Sequence, residues 1–176
     1  VVSAVPAFAD PLLPNTDPYT VYRGDLQSHS TYSNGKKDPL GAYTDARTRG
    51  LDVFDLMDQR NSLTTTEWTN LSTYAAQTTI PGSYLALRGF EWCHTYNSNG
   101  QYGSAYGQGH AGVINSASMA ILPSYAALNR APTQQESQND LKVFYEWVAN
   151  AASADGSAVV GQFNHPSGGL YISRFN

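Results

Sequence analysis

The chain has one cysteine, Cys93, in 176 residues, so it cannot form a disulfide within itself. Charged residues are also scarce: Asp, Glu, Lys and Arg make up 14% of the sequence, against about 25% in ordinary domains. The 10 Lys and Arg are outnumbered by 14 Asp and Glu, which gives a net charge of −4 without any basic run. Because nucleic-acid binding depends on clustered basic residues that neutralise phosphates, the composition excludes general nucleic-acid binding.

No apolar run approaches the roughly 20 residues that a membrane-spanning helix requires, so no span is predicted. Tyr (12 residues), Gly (15 residues), Asn, Gln, Ser and Thr take the place of the usual Lys and Glu. This composition favours a secreted or cell-surface protein, and it also suits surfaces that pack against copies of themselves. Ala7-Phe8-Ala9 has the small-x-small form of a signal-peptidase site, although an ordered N-terminal arm explains the segment equally well.

Periodicity predicts alternating strands and helices. Asp38-Pro39 begins a helix that Gly50 closes, a second helix begins at about Thr65, and Thr133 to Glu136 has the capping-box spacing of a third. Roughly parallel strands are predicted near residues 21–27, 51–57, 84–90, 110–115 and 158–163. The pattern predicts an α/β fold with one domain over 21–176, preceded over 1–20 by an arm or the remnant of a signal region.

Polar residues with metal-binding or acid–base chemistry follow the ends of these predicted strands. In parallel α/β folds such residues converge on one edge of the sheet, where active sites form. The residues are Asp25, Gln27 and His29 after the first strand, Asp58 and Gln59 after the second, Glu91 after the third, His110 at the fourth, and Asn164 and His165 after the fifth. Imidazole and carboxylate groups together are typical ligands of borderline divalent metals.

Each of these residues also has a plainer interpretation. A single histidine near a strand end is more often a hydrogen-bonded structural residue than a ligand, and Asn164-His165-Pro166 alone could be a turn. Trp68 and Trp147 stand at helical spacings and are expected in the core. Only the coincidence of position over five strands favours a site.

The motifs resemble those of the PHP (polymerase and histidinol phosphatase) superfamily. Asp25-Leu26-Gln27-Ser28-His29-Ser30, followed by Ser33-Asn34-Gly35, is similar to its opening Asp-Leu-His-x-His-(Ser/Thr) and Ser-Asp-Gly. Met57 to Asn61 resembles the second motif, Thr-Asp-His-Asn. Gly89 to Trp92, Gly109-His110 and Asn164-His165-Pro166 are similar to the later Glu and His motifs, and the exported composition resembles the carbaryl-hydrolase-like branch.

The resemblance implies a distorted barrel of about seven βα units that binds up to three divalent metals and hydrolyses phosphoesters or related esters. It implies His29, Glu91, His110 and His165 as metal ligands, with Asp25, Asp58 and Asn164 in supporting positions. About five strands are recognised, so the barrel is expected to be incomplete. The chain ends at Asn176, before the family's final Asp-x-His motif.

Three ligand positions of the family carry amides in this sequence: Gln27, Asn34 and Gln59. A neutral amide is a much poorer ligand for zinc, manganese or iron than imidazole or carboxylate. We therefore expect one divalent metal (Zn, Mn or Fe) at most, or none.

Two functions follow from this degenerate site. The first is an exported PHP-fold pseudoenzyme that acts as a binding or self-assembly module. The second is a metal-dependent hydrolase of the phosphoesterase or esterase type with a reduced metal site. In either case a homo-oligomer or a second polypeptide is expected to complete the barrel. A carbohydrate-binding module that uses Tyr96, Tyr102 and Tyr106 is a third and weaker alternative.

Overall fold

The computed structural model describes residues 20–92, 110–120, 134–151, 156 and 158–164. Within these ranges the chain is a mixed α/β structure with one five-stranded sheet and three helices. The elements in chain order are β1 (Gly24–Ser28), α1 (Pro39–Thr48), β2 (Val53–Gln59), α2 (Thr65–Thr78), β3 (Leu85–Trp92), β4 (Ala111–Ile114), α3 (Gln134–Asn150) and β5 (Val160–Phe163).

The order of the strands in the sheet is the order in the chain, β1-β2-β3-β4-β5. β1, β2 and β3 are parallel, but β4 is antiparallel to both β3 and β5. The prediction of roughly parallel strands is therefore wrong for β4. A parallel neighbour needs a crossover connection, whereas β4 lies beside the strand that precedes it and starts from the edge where that strand ends.

The sheet is curled so that its two edge strands approach each other. Gln162 on β5 donates through Nε2 to the carbonyl oxygen of Leu26 on β1, at 3.4 Å. The sheet has the form of a half-barrel, and the predicted incomplete α/β barrel is confirmed. Its inner face carries the paired positions Gln59, Glu91, Gly112 and Gln162 in one row.

The first two helices begin at clear capping residues. Asp38 accepts the backbone N–H of Gly41 at 2.9 Å and precedes Pro39, as the sequence predicted for α1. Thr64 and Glu67 form a capping box at the start of α2, in which each side chain accepts the other's backbone N–H. No helix in the described ranges is long and apolar enough to cross a membrane.

Aromatic side chains join α2 and α3 to the outer face of the sheet. Phe90 on β3 makes edge contacts with Trp68 and Trp147, with ring centroids 5.9 and 5.6 Å apart. Phe144 of α3 stacks on Trp92 at 4.3 Å. The prediction that both tryptophans belong to the core is confirmed, because Trp68 is buried and Trp147 packs against the buried cluster. This packing places α2 and α3 against the outer face of the sheet.

The loop that follows β1 folds back tightly on itself. Gly35 donates its N–H to the carbonyl of Ser30 at 2.8 Å, and Ser33 donates to the same carbonyl at 3.1 Å. A Cβ on residue 35 would lie 2.8 Å from the carbonyl carbon of Ser30 and closer still to the carbonyl of His29. Glycine at position 35 is therefore a steric requirement of this loop.

We predict that Gly35→Ala lowers the free energy of unfolding by about 1–3 kcal/mol, because the loop must move to make room for the methyl group. Urea unfolding at neutral pH measures the change. Gly161→Ala is the matched control, since its Cβ would meet only an ordinary contact at 3.7 Å and should cost less than about 0.5 kcal/mol. Equal losses of unfolding free energy in the two variants would contradict the steric requirement for glycine at position 35.

Candidate functional site

The carboxylate of Glu91 is the centre of the polar cluster at the carboxyl edge of the sheet. Its side chain is only 2% exposed. Among the described residues, three side chains hydrogen-bond to Oε1. Asn164 donates through Nδ2 at 2.8 Å, Gln27 donates through Nε2 at 3.3 Å, and His110 Nδ1 lies 3.1 Å away. His29 approaches the other oxygen, with Nε2 at 3.8 Å from Oε2. We call these five residues the rim cluster.

The reversed direction of β4 explains how His110 reaches this edge. Because β4 is antiparallel to β3, its first residues lie beside the last residues of β3, so His110 is next to Glu91. The backbone N–H of Asn164 bonds to the carbonyl of His110 at 2.9 Å and continues the β4–β5 pairing. His110 was predicted at this edge, although the strand direction assumed for it was wrong.

Burial and hydrogen bonding act on Glu91 in opposite directions. Burial by itself raises the pKa of the Glu91 carboxyl, but the hydrogen bonds from His110 and Asn164 and the attraction to His110 and His29 outweigh it. The net effect lowers its pKa, so the folded protein favours the ionised form. The cluster therefore holds a buried negative charge that hydrogen-bond donors stabilise.

A second buried carboxylate, Asp58, organises the loop after β1. It accepts the backbone N–H of Ser30 at 2.8 Å, the Ser30 hydroxyl at 2.6 Å and the Ser33 hydroxyl at 2.5 Å. Ser33 Oγ in turn lies 3.2 Å from Nδ1 of His29. Asp58 therefore orders this loop, and it is linked to His29 through Ser33. Its supporting role at a site stays a prediction.

The other predicted positions differ in their surroundings. Gln59 is buried and pairs in register with Glu91, whereas Asn34 is exposed in the loop. Asp25 accepts the N–H of Gln27 at 3.0 Å and the hydroxyl of Ser28 at 2.8 Å, within β1 itself. His165, the fourth predicted ligand, lies outside the described residues, as do Tyr96, Tyr102 and Tyr106 of the carbohydrate-binding alternative. The role of His29, Glu91, His110 and His165 as ligands stays a prediction.

The donor set in the described part of the chain does not fit the multinuclear metal centre that the sequence resemblance implies. Gln27 and Asn164 turn amide N–H groups toward Glu91 Oε1, and an amide nitrogen offers no lone pair to a metal. No group of three or more His, Cys, Asp and Glu side chains in the described ranges is arranged to hold an ion. The described residues form hydrogen bonds around the carboxylate of Glu91 itself.

The sequence analysis did not single out Asp55, because the alternating pattern of β2 made it look like an ordinary polar residue of a strand. Its side chain is fully buried, and neither carboxyl oxygen has a hydrogen-bond partner among the described residues. Burial and, secondarily, the neighbouring Asp25 raise the pKa of the Asp55 carboxyl well above its usual value. Gly89 on β3 makes room for it, since a Cβ there would lie 2.8 Å from Oδ2.

Comparison with known proteins gives structural similarity only. No protein-family model and no curated protein sequence matches the chain. It is similar to a structure from Bacteroides vulgatus, a two-domain protein containing a predicted PHP-like metal-dependent phosphoesterase, with 18% identity and a TM-score of 0.44. That match covers 80% of this chain and 36% of the other.

Two further structures are similar. A protein from Bifidobacterium adolescentis assigned as a metal-dependent phosphoesterase shows 17% identity and a TM-score of 0.39, over 62% of this chain and 32% of the other. An amidohydrolase from Chromobacterium violaceum, with bound sulfate and no metal, shows 23% identity and a TM-score of 0.39, over 60% and 31%. The chain spans about a third of each of these proteins, and these similarities assign it no activity.

We predict that Glu91→Gln lowers the free energy of unfolding at pH 7 by about 1.5–3 kcal/mol, because the donors lose a charged acceptor. The lowered pKa of Glu91 sets the sign of the pH dependence. The stabilisation by ionised Glu91 is present above the unfolded-state pKa and is lost as the pH falls through the folded-state pKa. The gap in unfolding free energy between the wild type and Glu91→Gln should therefore narrow below about pH 4. Urea unfolding at several pH values measures it, with the exposed Glu146→Gln as control. A difference that does not change with pH would contradict the prediction.

Asp55→Asn should have the opposite pH dependence, because the pKa of Asp55 is raised. Above the unfolded-state pKa the folded protein retains a proton that the unfolded chain has lost, so wild-type stability falls as the pH rises. We predict that Asn at position 55 gains stability relative to Asp by about 1.4 kcal/mol per pH unit above pH 4, up to the folded-state pKa. The same unfolding series tests this, and Asp45→Asn, at the exposed ion pair with Lys37, should show no such gain.

Proposed function

We propose that this chain is a PHP-type domain that binds a ligand at the rim cluster without catalysing hydrolysis. The observation that carries the proposal is the pair of amide groups, from Gln27 and Asn164, that donate to Oε1 of the buried Glu91 carboxylate. In an enzyme of the PHP type, cations would neutralise such a carboxylate. Here the amide donors and the two nearby imidazoles of His110 and His29 do so. Position 27 is one of the three at which an amide replaces a ligand of the family.

Electrostatics favours this interpretation. A carboxylate oxygen that accepts several N–H groups has its negative charge compensated, and the positive ends of those dipoles repel a cation that approaches the same oxygen. Holding several cations close together requires more negative charge and more imidazole than the described residues provide. The rim cluster is therefore better suited to a ligand that exchanges hydrogen bonds than to a metal cluster.

The accessible part of the rim cluster supports a binding role. Glu91 and Asn164 are buried, but the side chains of His29 and His110 are 19% and 16% exposed, and Gln27 is half-buried. A bound molecule would therefore meet the two imidazoles and one amide, with the carboxylate behind them. We further propose that the domain acts outside the cell or at its surface, in agreement with its low charge content, and that its edge strands associate with a copy of itself or another polypeptide.

A mononuclear metal-dependent hydrolase is the second candidate, and one contact favours it. His29 Nε2 and Glu91 Oε2 face each other at 3.8 Å, with His110 on the other carboxylate oxygen. Two imidazoles and one carboxylate could hold a single zinc, manganese or iron ion if the side chains rotated toward it. Such an ion would supply acidification of a bound water. Metal content therefore separates the two candidates.

We predict that the protein purified without chelator holds well under one transition-metal ion per chain. The triple variant Gln27→His, Asn34→Asp and Gln59→His should bind at least one, because it regains two imidazoles and a carboxylate. Elemental analysis together with intact mass measures the stoichiometry. Gln77→His, Gln135→His and Asn139→Asp make the same chemical changes at exposed helix positions and serve as the control.

Activity assays complete the test. The unmodified chain should hydrolyse phosphomonoesters and carboxyl esters no faster than the Glu91→Ala variant, with and without added zinc or manganese. Metal-dependent turnover that Glu91→Ala abolishes would replace the binding proposal with the mononuclear hydrolase. A stoichiometry near three ions per chain would contradict both candidates.

A further inference from the structure

The hydrogen bonds around Ser33 determine which nitrogen of His29 carries the proton. Ser33 has a single hydroxyl proton, and it donates that proton to Asp58 Oδ1 at 2.5 Å. Ser33 Oγ also lies 3.2 Å from His29 Nδ1, and because its proton is already donated it can only accept there. The contact is therefore satisfied only when Nδ1 carries the hydrogen.

Asp58 makes this direction of donation firm. It is fully buried and accepts from the backbone and the hydroxyl of Ser30 as well as from Ser33. With three donors already directed at it, the carboxylate is the acceptor in each contact. Ser33 therefore cannot reverse its hydroxyl without leaving Asp58 short of a donor in a buried site.

We infer that Ser33, anchored by Asp58, is a positioning residue that holds neutral His29 in the Nδ1–H tautomer and so presents the Nε2 lone pair to the rim cluster. This lone pair faces Glu91 Oε2 at 3.8 Å, which places two acceptors opposite each other. A molecule that bonds to this lone pair must bring a proton donor, such as a hydroxyl or ammonium group, or a cation. The inference deepens the proposed function and rests on it only for the statement that a molecule binds there.

The inference predicts a spectroscopic signature that a merely structural role for Ser33 would not produce. Two-bond ¹⁵N–¹H correlation spectra of the side chains, recorded above the imidazole titration range, report the tautomer of each histidine. For His29 we expect a protonated Nδ1 and an unprotonated Nε2. A His29→Gln variant identifies which of the four histidine patterns belongs to this residue.

Substitution at position 33 tests the cause. Ser33→Thr keeps the hydroxyl and should retain the wild-type pattern, whereas Ser33→Ala should shift His29 toward a mixture of both tautomers. Ser28→Ala removes a neighbouring hydroxyl that bonds to Asp25 instead and should leave the pattern unchanged. Circular dichroism checks that each variant is folded.

A wild-type spectrum with the proton on Nε2 would overturn the inference, and so would an unchanged pattern in folded Ser33→Ala. If Ser33→Ala does not fold, the wild-type and Ser33→Thr spectra still decide the question. The outcome is independent of the metal analysis, because it is read from metal-free protein without turnover. A confirmed tautomer with a high metal stoichiometry would retain this inference while rejecting the binding proposal.

Discussion

The burial of the Glu91 carboxylate is the constraint on which the arrangement of this sheet depends. A charge with so little access to water is tolerated only when donors replace the lost hydration. The donors come from β1 through Gln27, from the start of β4 through His110, and from the end of β5 through Asn164. Because these elements are far apart in the chain, satisfying one carboxylate brings both edge strands toward β3 and favours the curl of the half-barrel.

Three buried acids on neighbouring strands are held in different ways. Glu91 is surrounded by side-chain donors, and the hydrogen bonds together with the attraction to His110 and His29 outweigh burial and lower its pKa. Asp58 is held by the loop after β1, whose serines and backbone it orders. Asp55 has no such donors among the described residues, so burial raises its pKa well above normal. The contrast between Glu91 and Asp55 shows that nearby donors and charges, rather than depth alone, decide the direction in which the pKa of a buried carboxyl shifts.

This arrangement gives the amide at position 27 a physical role. Gln27 takes part in the network around Glu91 as a donor, which a neutral histidine at the same position could do only through a ring N–H. The buried charge is thereby compensated within the protein, and the rim cluster presents imidazole and amide groups at its surface. This compensation supports the proposed function, although the fold alone could serve either role.

Periodicity and capping signals by themselves determined most of the secondary structure, because they depend on local contacts. Asp38-Pro39 marked the start of α1, and the polar residues after the strands marked the carboxyl edge of the sheet. The direction of β4 was decided only in the tertiary structure, because pairing with β3 is a long-range contact that no local pattern records.

The surroundings of the buried acids were also decided only in the tertiary structure. Asp55 and Asp58 are three residues apart on β2, so their side chains lie on opposite faces of the sheet. Asp58 meets hydrogen-bond donors there, whereas Asp55 meets none among the described residues. The sequence determined that carboxylates and amides would meet at one edge. Only the register of the strands decided which carboxylate received the donors and which was buried without them, because hydrogen bonding acts over a few ångströms between residues that the chain separates by dozens of positions.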